Sequence, residues 1–426
     1  PADGKVSFKN GFPVLSFTVS AQDGLLDPAS IRIVGKYAAF SDNATPTPTP
    51  AQDGDGLNMN SRLGIYNVFD QLTVRAARSK MICEQIRHYA KWFNTYTALT
   101  SSLGDQTSHL AESALIMPNS ELFRKSVVES NAAGTKISSF SAHLPCGFCQ
   151  SGNMVDLRAT AFGGVQIEIQ LTPDANALFF EGGTVPSGKG EAHYELSDLK
   201  LCCEVMELGE TPPQPQGSFQ FNTITSLYTS INSANAQIQY SLALKNLQSA
   251  FMTFMPVQNI NTLTADGQAT TFPSDSDASL AAVKRVQFLK GGVKFPAEFD
   301  YVNNFDAVNN PTNLPDSEIV KGLYDAIVPP YHQTRTSISP ANMTRNYTMA
   351  TSATEETAYN LIPQGGAVMG LGVKYGIGDS GEDFSTEQFG ASIVSDLATD
   401  NPIGVFLFFK AKATLLYSQQ GVQLLN

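Results

Sequence analysis

The string His143-Leu144-Pro145-Cys146-Gly147-Phe148-Cys149 is where residue types and spacing most suggest catalysis. Pro-Cys-x-x-Cys supplies two zinc thiolates in nucleotide deaminases, which also need an upstream His-x-Glu. The His-x-Glu of this chain, His193-Tyr194-Glu195, follows the cysteines instead. A structural zinc completed by Cys202 or Cys203 is a second reading. A redox dithiol would open a helix after a strand, whereas Gln150-Ser151-Gly152 reads as a turn. The expectation is therefore buried free thiols in a turn, with no residue assigned a catalytic, cofactor-binding or metal role.

The remaining candidates are weaker. Gly370-Leu371-Gly372-Val373-Lys374-Tyr375-Gly376 misses the dinucleotide-binding spacing by one residue and precedes no helical pattern. Its glycines share one face of a strand, which predicts close backbone approach. The 5 histidines are scattered and there is no Gly-x-Ser-x-Gly, so spacing supports no nucleophile and base. The carboxylate pairs Asp275/Asp277 and Glu382/Asp383 lie in polar loops and read as solvated or occasionally cation-binding, with general acid-base catalysis the alternative. Arg75, Arg78, Lys80, Arg87 and Lys91 form the main basic cluster, echoed by Lys284, Arg285, Lys290 and Lys294. A solvated face is the expectation there, against contact with nucleic acid or an acidic partner. Asn43, Asn342 and Asn346 match the glycosylation pattern, by chance on the reading that no signal peptide precedes them.

The elements around these residues fall into two halves. Glu210-Thr211-Pro212-Pro213-Gln214-Pro215-Gln216-Gly217 has three prolines in four positions, which favours an extended connector over a sheet or helix. Residues 1–210 carry 16 Lys/Arg against 22 Asp/Glu and residues 217–426 carry 11 against 17, so each half holds a net charge of −6. The expected division is a first unit over 1–210, a connector over 211–216 and a second unit over 217–426. Halves near 200 residues suit large β-sandwiches.

The whole chain has 426 residues, a net charge of −12 and 15% charged residues, against roughly 25% in typical soluble domains. The negative balance disfavours a protein whose main task is gripping phosphates. The low charge content favours a surface covered by neighbours. No apolar run reaches the roughly 18 residues of a membrane span. Pro1-Ala2-Asp3-Gly4-Lys5 lacks the regions of a secretory signal, so the chain is expected to be intracellular or to have lost a leader. Its 5 cysteines all lie in the first half, an odd number that suggests free thiols in a reducing compartment.

Several segments alternate as half-buried strands do. They are Leu15-Phe17-Val19, Val165-Ile167-Ile169-Leu171, Leu199-Leu201-Cys203-Val205, Ile238-Tyr240-Leu242-Leu244, Met369-Leu371-Val373-Tyr375, and Val405 through Leu407 and Phe409 to Tyr417. Ser41–Asn60, Glu181–Glu191, Thr262–Ser279 and Asn303–Pro315 read as exposed loops at the ends of sandwiches, with lids or binding loops the alternative. Helical spacing occurs over Cys83–Leu99 and again at Ile319, Leu323 and Ile327, the latter capped by Asp316 or Ser317 and stopped by Pro329-Pro330. Many strands with few helices make an all-β pattern.

Longer strings resemble the major capsid proteins of polinton-like viruses and virophages. They are GIYNVFDQLTVR from Gly64 to Arg75, LPCGFCQSGN from Leu144, VQIEIQLTPD from Val165, YELSDL from Tyr194, GVKFPAEFDY from Gly292, and the ending Lys410 to Asn426 with YSQQGVQ. The resemblance implies two tandem eight-stranded jelly-roll β-sandwiches, a double jelly roll, with short helices in the connections. It also implies a non-enzymatic role: homotrimeric, pseudo-hexameric capsomers tiling an icosahedral shell, assembled inside the host cell and resident in the virion. Expected partners are further copies of the chain and penton and minor capsid proteins, around an enclosed DNA genome. No cofactor is implied. Virophage relatives carry a C-terminal extension removed by a protease, so an end at Asn426 suggests a short member or a matured product. The tall loop towers of larger relatives are missing. The rival reading is a tandem β-sandwich carbohydrate-binding protein or adhesin, with Asp275/Asp277 holding calcium and sugar.

Overall fold

In the computed structural model, residues 4–9, 11, 13–20, 24–42, 47–100, 108–117, 124–131, 134–158, 162–209, 216–269, 283–296, 301–302, 317–327, 370–376, 380–396, 402–418 and 421–425 are described. The connector at 211–215, Asp275/Asp277, the three glycosylation matches, Met369, Asn303–Pro315 and the proposed cap and stop at Asp316 and Pro329-Pro330 lie outside them. Among the described residues no helix is long and apolar enough to cross a membrane.

Alternation builds two antiparallel sheets from strands before the connector. One runs in the order Val14–Ser20, Gly164–Leu171, Phe69–Ala76, Ile82–Arg87. In Gly164–Leu171 the side chains of Val165, Ile167, Ile169 and Leu171 are at most 1% exposed, while Gln166, Glu168 and Gln170 point outward. This is a strand with one face on a core and the other toward water. The second sheet is centred on Leu25–Asp42, with His193–Met206 along one side and Ser138–His143, Val155–Asp156 and Thr49–Pro50 along the other.

Strands after the connector form two further sheets. Gly217–Ile231, Ile403–Ser418, Leu247–Pro256 and Leu371–Lys374 lie in that order, and Gly421–Leu425 folds back on the end of Ile403–Ser418. Asn235–Tyr240, Phe389–Ser395, Val283–Lys290 and Val293–Lys294 make the facing sheet. Phe409 from one meets Phe389 from the other edge-on at 4.8 Å, which places the core of this half between them.

The helix Ser317–Ile327 covers the outer face of the first of these sheets. Ile319, Leu323 and Ile327 are buried as their spacing predicts. The approach is close because both partners lack a side chain at the contact. A Cβ on Gly372 would lie 2.6 Å from Ala326 Cβ, and one on Gly322 would lie 2.6 Å from Gly372 O. Gly372 thus seats the helix, while Gly370 and Gly376 lie against the backbones of Met252 and Ser380, the close approach that the glycine spacing suggests.

Three expectations are corrected. Cys83–Leu99 is not one helix: Ile82–Arg87 is a strand, His88 turns the chain in the left-handed region at φ 53°, and the helix is Tyr89–Thr100. Ile86, Ala90 and Phe93 fall at helical spacing, but the first belongs to a different element. The alternation at Ile238 stops at Tyr240, so Leu242 lies beyond the strand and is only partly buried. Neither Ser41–Asn60 nor the start of Thr262–Ser279 is simply an exposed loop, since Ala51, Leu57 and Met59 in the first and Leu263 and Gln268 in the second are buried.

Candidate functional site

The loop that looked most chemical is a wedge between the two halves. It leaves the strand Ser138–His143, and its carbonyls are held by tyrosines: Tyr66 Oη donates to His143 O and Tyr89 Oη to Pro145 O, each at 2.7 Å. The tip then turns, with Gln150 N–H donating to Cys146 O at 3.0 Å and Cys149 N–H to Cys146 Sγ at 3.4 Å. Cys146 and Cys149 are free and buried. Burial lifts the Cys146 thiol well above its ordinary range, so it is not poised as a thiolate.

Glu84, from the strand Ile82–Arg87, organises this wedge. Its Oε1 accepts from Gly147 N–H at 3.1 Å and its Oε2 from Phe148 N–H at 2.7 Å. The same Oε1 accepts from Ile224 N–H at 2.9 Å, on the first strand of the second half. One carboxyl group thus ties three backbone donors from both halves while being 2% exposed. Gly147 is seated so tightly that a Cβ would fall 1.6 Å from Asn222 O. Beside it the buried Phe148 ring packs on Phe219 and Phe221 at 5.6 and 5.9 Å, and Phe162 packs on Tyr417 at 5.5 Å.

A second tie lies along the helix Tyr89–Thr100. Lys91 is 6% exposed, and its Nζ donates to Gly267 O at 2.6 Å and Gln268 Oε1 at 2.9 Å while lying 4.9 Å from the centre of the Phe406 ring. Desolvation brings its ammonium down to about 8, opposed by Asp70 and Asp266. His88 packs edge-on against the same Phe406 ring at 5.0 Å, and burial brings its imidazole down to about 4. A third tie uses backbone and amide groups: Phe180 N–H donates to Leu263 O at 2.7 Å, Asn60 Nδ2 to Asp266 Oδ2 at 2.8 Å, and Asn261 N–H to Asn176 Oδ1.

The other sequence candidates are engaged elsewhere. His193 stacks on Phe40 at 5.0 Å, and Cys202 and Cys203 are partly buried on the strand His193–Met206. Among the described residues no group of three or more His, Cys, Asp or Glu side chains could hold a metal ion. The basic cluster disperses: Arg75 pairs with Glu168 at 2.8 Å, Lys80 donates to Gln166 at 2.8 Å, and Lys91 is the buried tie. Lys290 pairs with Glu382 at 3.1 Å, and Asp383 accepts from Ser385 N–H at 2.7 Å in a turn. Sequence reasoning missed Glu84 and misplaced Lys91 on a solvated face.

No protein-family model and no curated protein matches the sequence. Solved structures do match in fold. The capsid of the virus PBCV-1 aligns with 97% of this chain and 92% of its own at 10% identity, with a TM-score of 0.54. PBCV-1 VP54, fitted into a reconstruction of the virophage Sputnik, aligns over 97% and 92% at 11% identity and 0.53. The Faustovirus major capsid protein aligns over 95% and 88% at 11% identity and 0.52. The likeness spans both halves of this chain, and with the sheet pairs above it defines an all-β double jelly-roll fold.

Proposed function

We propose that this chain is a structural, non-enzymatic major capsid protein of a virion, divided into a jelly roll over 1–210, a connector at 211–216 and a second jelly roll over 217–426. The observation that carries the reading is the double jelly-roll match, over 97% and 95% of this chain, to a PBCV-1 capsid chain and a Faustovirus major capsid protein. Fold alone does not fix function, and the site adds its own support. The string that looked most catalytic, His143 to Cys149, is spent on packing the two halves together.

Three such blocks around a threefold axis present six similar units, a pseudo-hexameric capsomer able to tile an icosahedral shell. Neighbouring capsomers, penton proteins and minor capsid proteins would cover the sides, and a DNA genome would lie inside. The 15% charged content suits a protein with much of its surface buried in assembly. Exposed apolar side chains such as Leu110 at 80% and Val293 at 71% suit the same reading.

Solution mass tests it. Light scattering behind a sizing column should give three times the 45.8 kDa chain mass. A stable monomer at micromolar concentration would refute the preassembled capsomer. Expression alone or with minor proteins, followed by electron microscopy, should yield shells.

A further inference from the structure

Ile82–Arg87 and Gly217–Ile231 are each the outermost strand of their own sheet, and they run side by side. Among the described residues no backbone ladder joins them. Their link is made by side chains, with Glu84 accepting from Ile224 N–H and Ser226 Oγ accepting from Arg87 N–H at 2.7 Å. Glu84 is the only ionisable group in this contact with hydrogen bonds to both halves, and no Lys, Arg or His among the described residues pairs with it. We infer that Glu84 is a proton-operated latch on the joint between the two jelly rolls, tight while the carboxyl group holds its proton and looser once the proton leaves.

The physical basis is a contest. Burial without a counter-charge penalises the carboxylate, while the donors from Phe148, Ile224, Cys146 and Gly147 favour it. Burial prevails and pushes the group from 4.5 up to about 7. With the joint open, Glu84 meets water and titrates as an ordinary carboxylic acid. A value raised in the closed state means that closure is fully favoured below 4.5 and loses ground as pH rises through about 7.

The groups facing Glu84 do not duplicate this response. Cys83 on its own strand is pushed up to about 12, and Cys146 on the loop and Tyr89 on the helix are raised well above their ordinary values. Cys149 lies behind Cys146 in the same turn. Gly217–Ile231 offers Asn222, Ile224 and Ser226 along this stretch, none titratable. Beyond that strand stand Lys410 and Lys412, in register with Ile224 and Asn222. From the helix side, Lys91 is turned to Gly267, while His88, held down near 4 by burial against Phe406, returns toward 6.5 when exposed and so opposes the Glu84 response between those values.

Amide hydrogen exchange on the intact chain, corrected for intrinsic rates, reads the joint directly. Between pH 5 and pH 8 the opening constant at the amides of Gly147, Phe148 and Ile224, divided by that of Glu84→Gln to remove the opposing response of His88, should rise on the order of a hundredfold. In Glu84→Gln, which keeps a neutral side chain of the same shape, the rise should disappear. The same pH dependence in the wild type and the variant would overturn the inference. Infrared spectra of the wild-type protein with labelled glutamate give a reading independent of the variant. A protonated carboxyl band that persists at pH 6, where exposed glutamates are ionised, and fades around pH 7 supports the latch, and the absence of any such band at pH 6 refutes it.

Discussion

Gly147→Ala is the sharpest test of the seam. The added Cβ would meet Asn222 O at 1.6 Å, Asn222 C at 2.6 Å and Glu84 Oε1 at 2.9 Å. Two of these atoms belong to the backbone of a fifteen-residue strand paired along its length with Ile403–Ser418, so the loop must give way. Reaching ordinary contact at 3.4 Å requires a displacement of 3.4 − 1.6 = 1.8 Å. That shift pulls the Gly147 and Phe148 amides, now at 3.1 and 2.7 Å, beyond hydrogen-bond range of Glu84. Each lost bond strands a buried partner at about 1–3 kcal/mol, and loosened ring contacts of Phe148 cost about 0.5–1.5 kcal/mol more. The expected loss is about 3–6 kcal/mol, a large part of a typical folding free energy. Urea denaturation would measure it, with Gly190→Ala as control, since a Cβ there meets nothing within 4 Å. A Gly147→Ala protein within about 0.5 kcal/mol of wild type, the range of neutral surface substitutions, would refute the wedge.

Three further outcomes follow from the same geometry. Lys91→Met should cost about 2–4 kcal/mol by leaving Gly267 O and Gln268 Oε1 without their buried donor. Because the folded value of Lys91 lies below 10.5, the wild-type protein should gain up to about 3 kcal/mol between pH 8 and 10.5, and Lys91→Met should lose that gain in denaturation curves. Leu407→Asp places a charge at a side chain that is 1% exposed, a cost of several kcal/mol that should abolish soluble protein; a soluble trimeric variant would show that the strand faces are misassigned. Cys146 and Cys149 should resist a thiol reagent until the protein unfolds while the partly buried Cys202 and Cys203 react first, and elemental analysis should find no stoichiometric zinc to be lost in Cys149→Ser.

Much of the fold was legible because alternation is a local signal. Val165 to Leu171 and Val405 to Tyr417 declare their buried faces without reference to the rest of the chain, and Gly370 to Gly376 declares a close approach. The seam was not legible, since its determinants are distant in sequence. Glu84 finds donors 63, 64 and 140 positions away, and within its own strand it reads as a polar residue on a solvated face. Lys91 counted as one of a basic group because charge is visible in sequence, while its acceptors at Gly267 and Gln268 are 176 and 177 positions on. The turn after Cys149 was readable. That the turn's purpose is to lock two sheets edge to edge required the second half to be in place.

The manner of that locking has a physical logic. Two unpaired strand edges brought together would ordinarily continue one sheet into the next by a backbone ladder, and any register would compete. At this seam a carboxyl group from one edge takes the amide of the other directly, at Ile224, while the wedge of Gly147 and Phe148 fills the space where the ladder would run. A ladder of several bonds would be indifferent to a slip of two residues. A single carboxyl group satisfied by three named donors is not, because a slip strands all of them in a site from which water is excluded. The joint is therefore specific in register at the cost of holding one ionisable group in a dry place, and that same choice makes it responsive to protons.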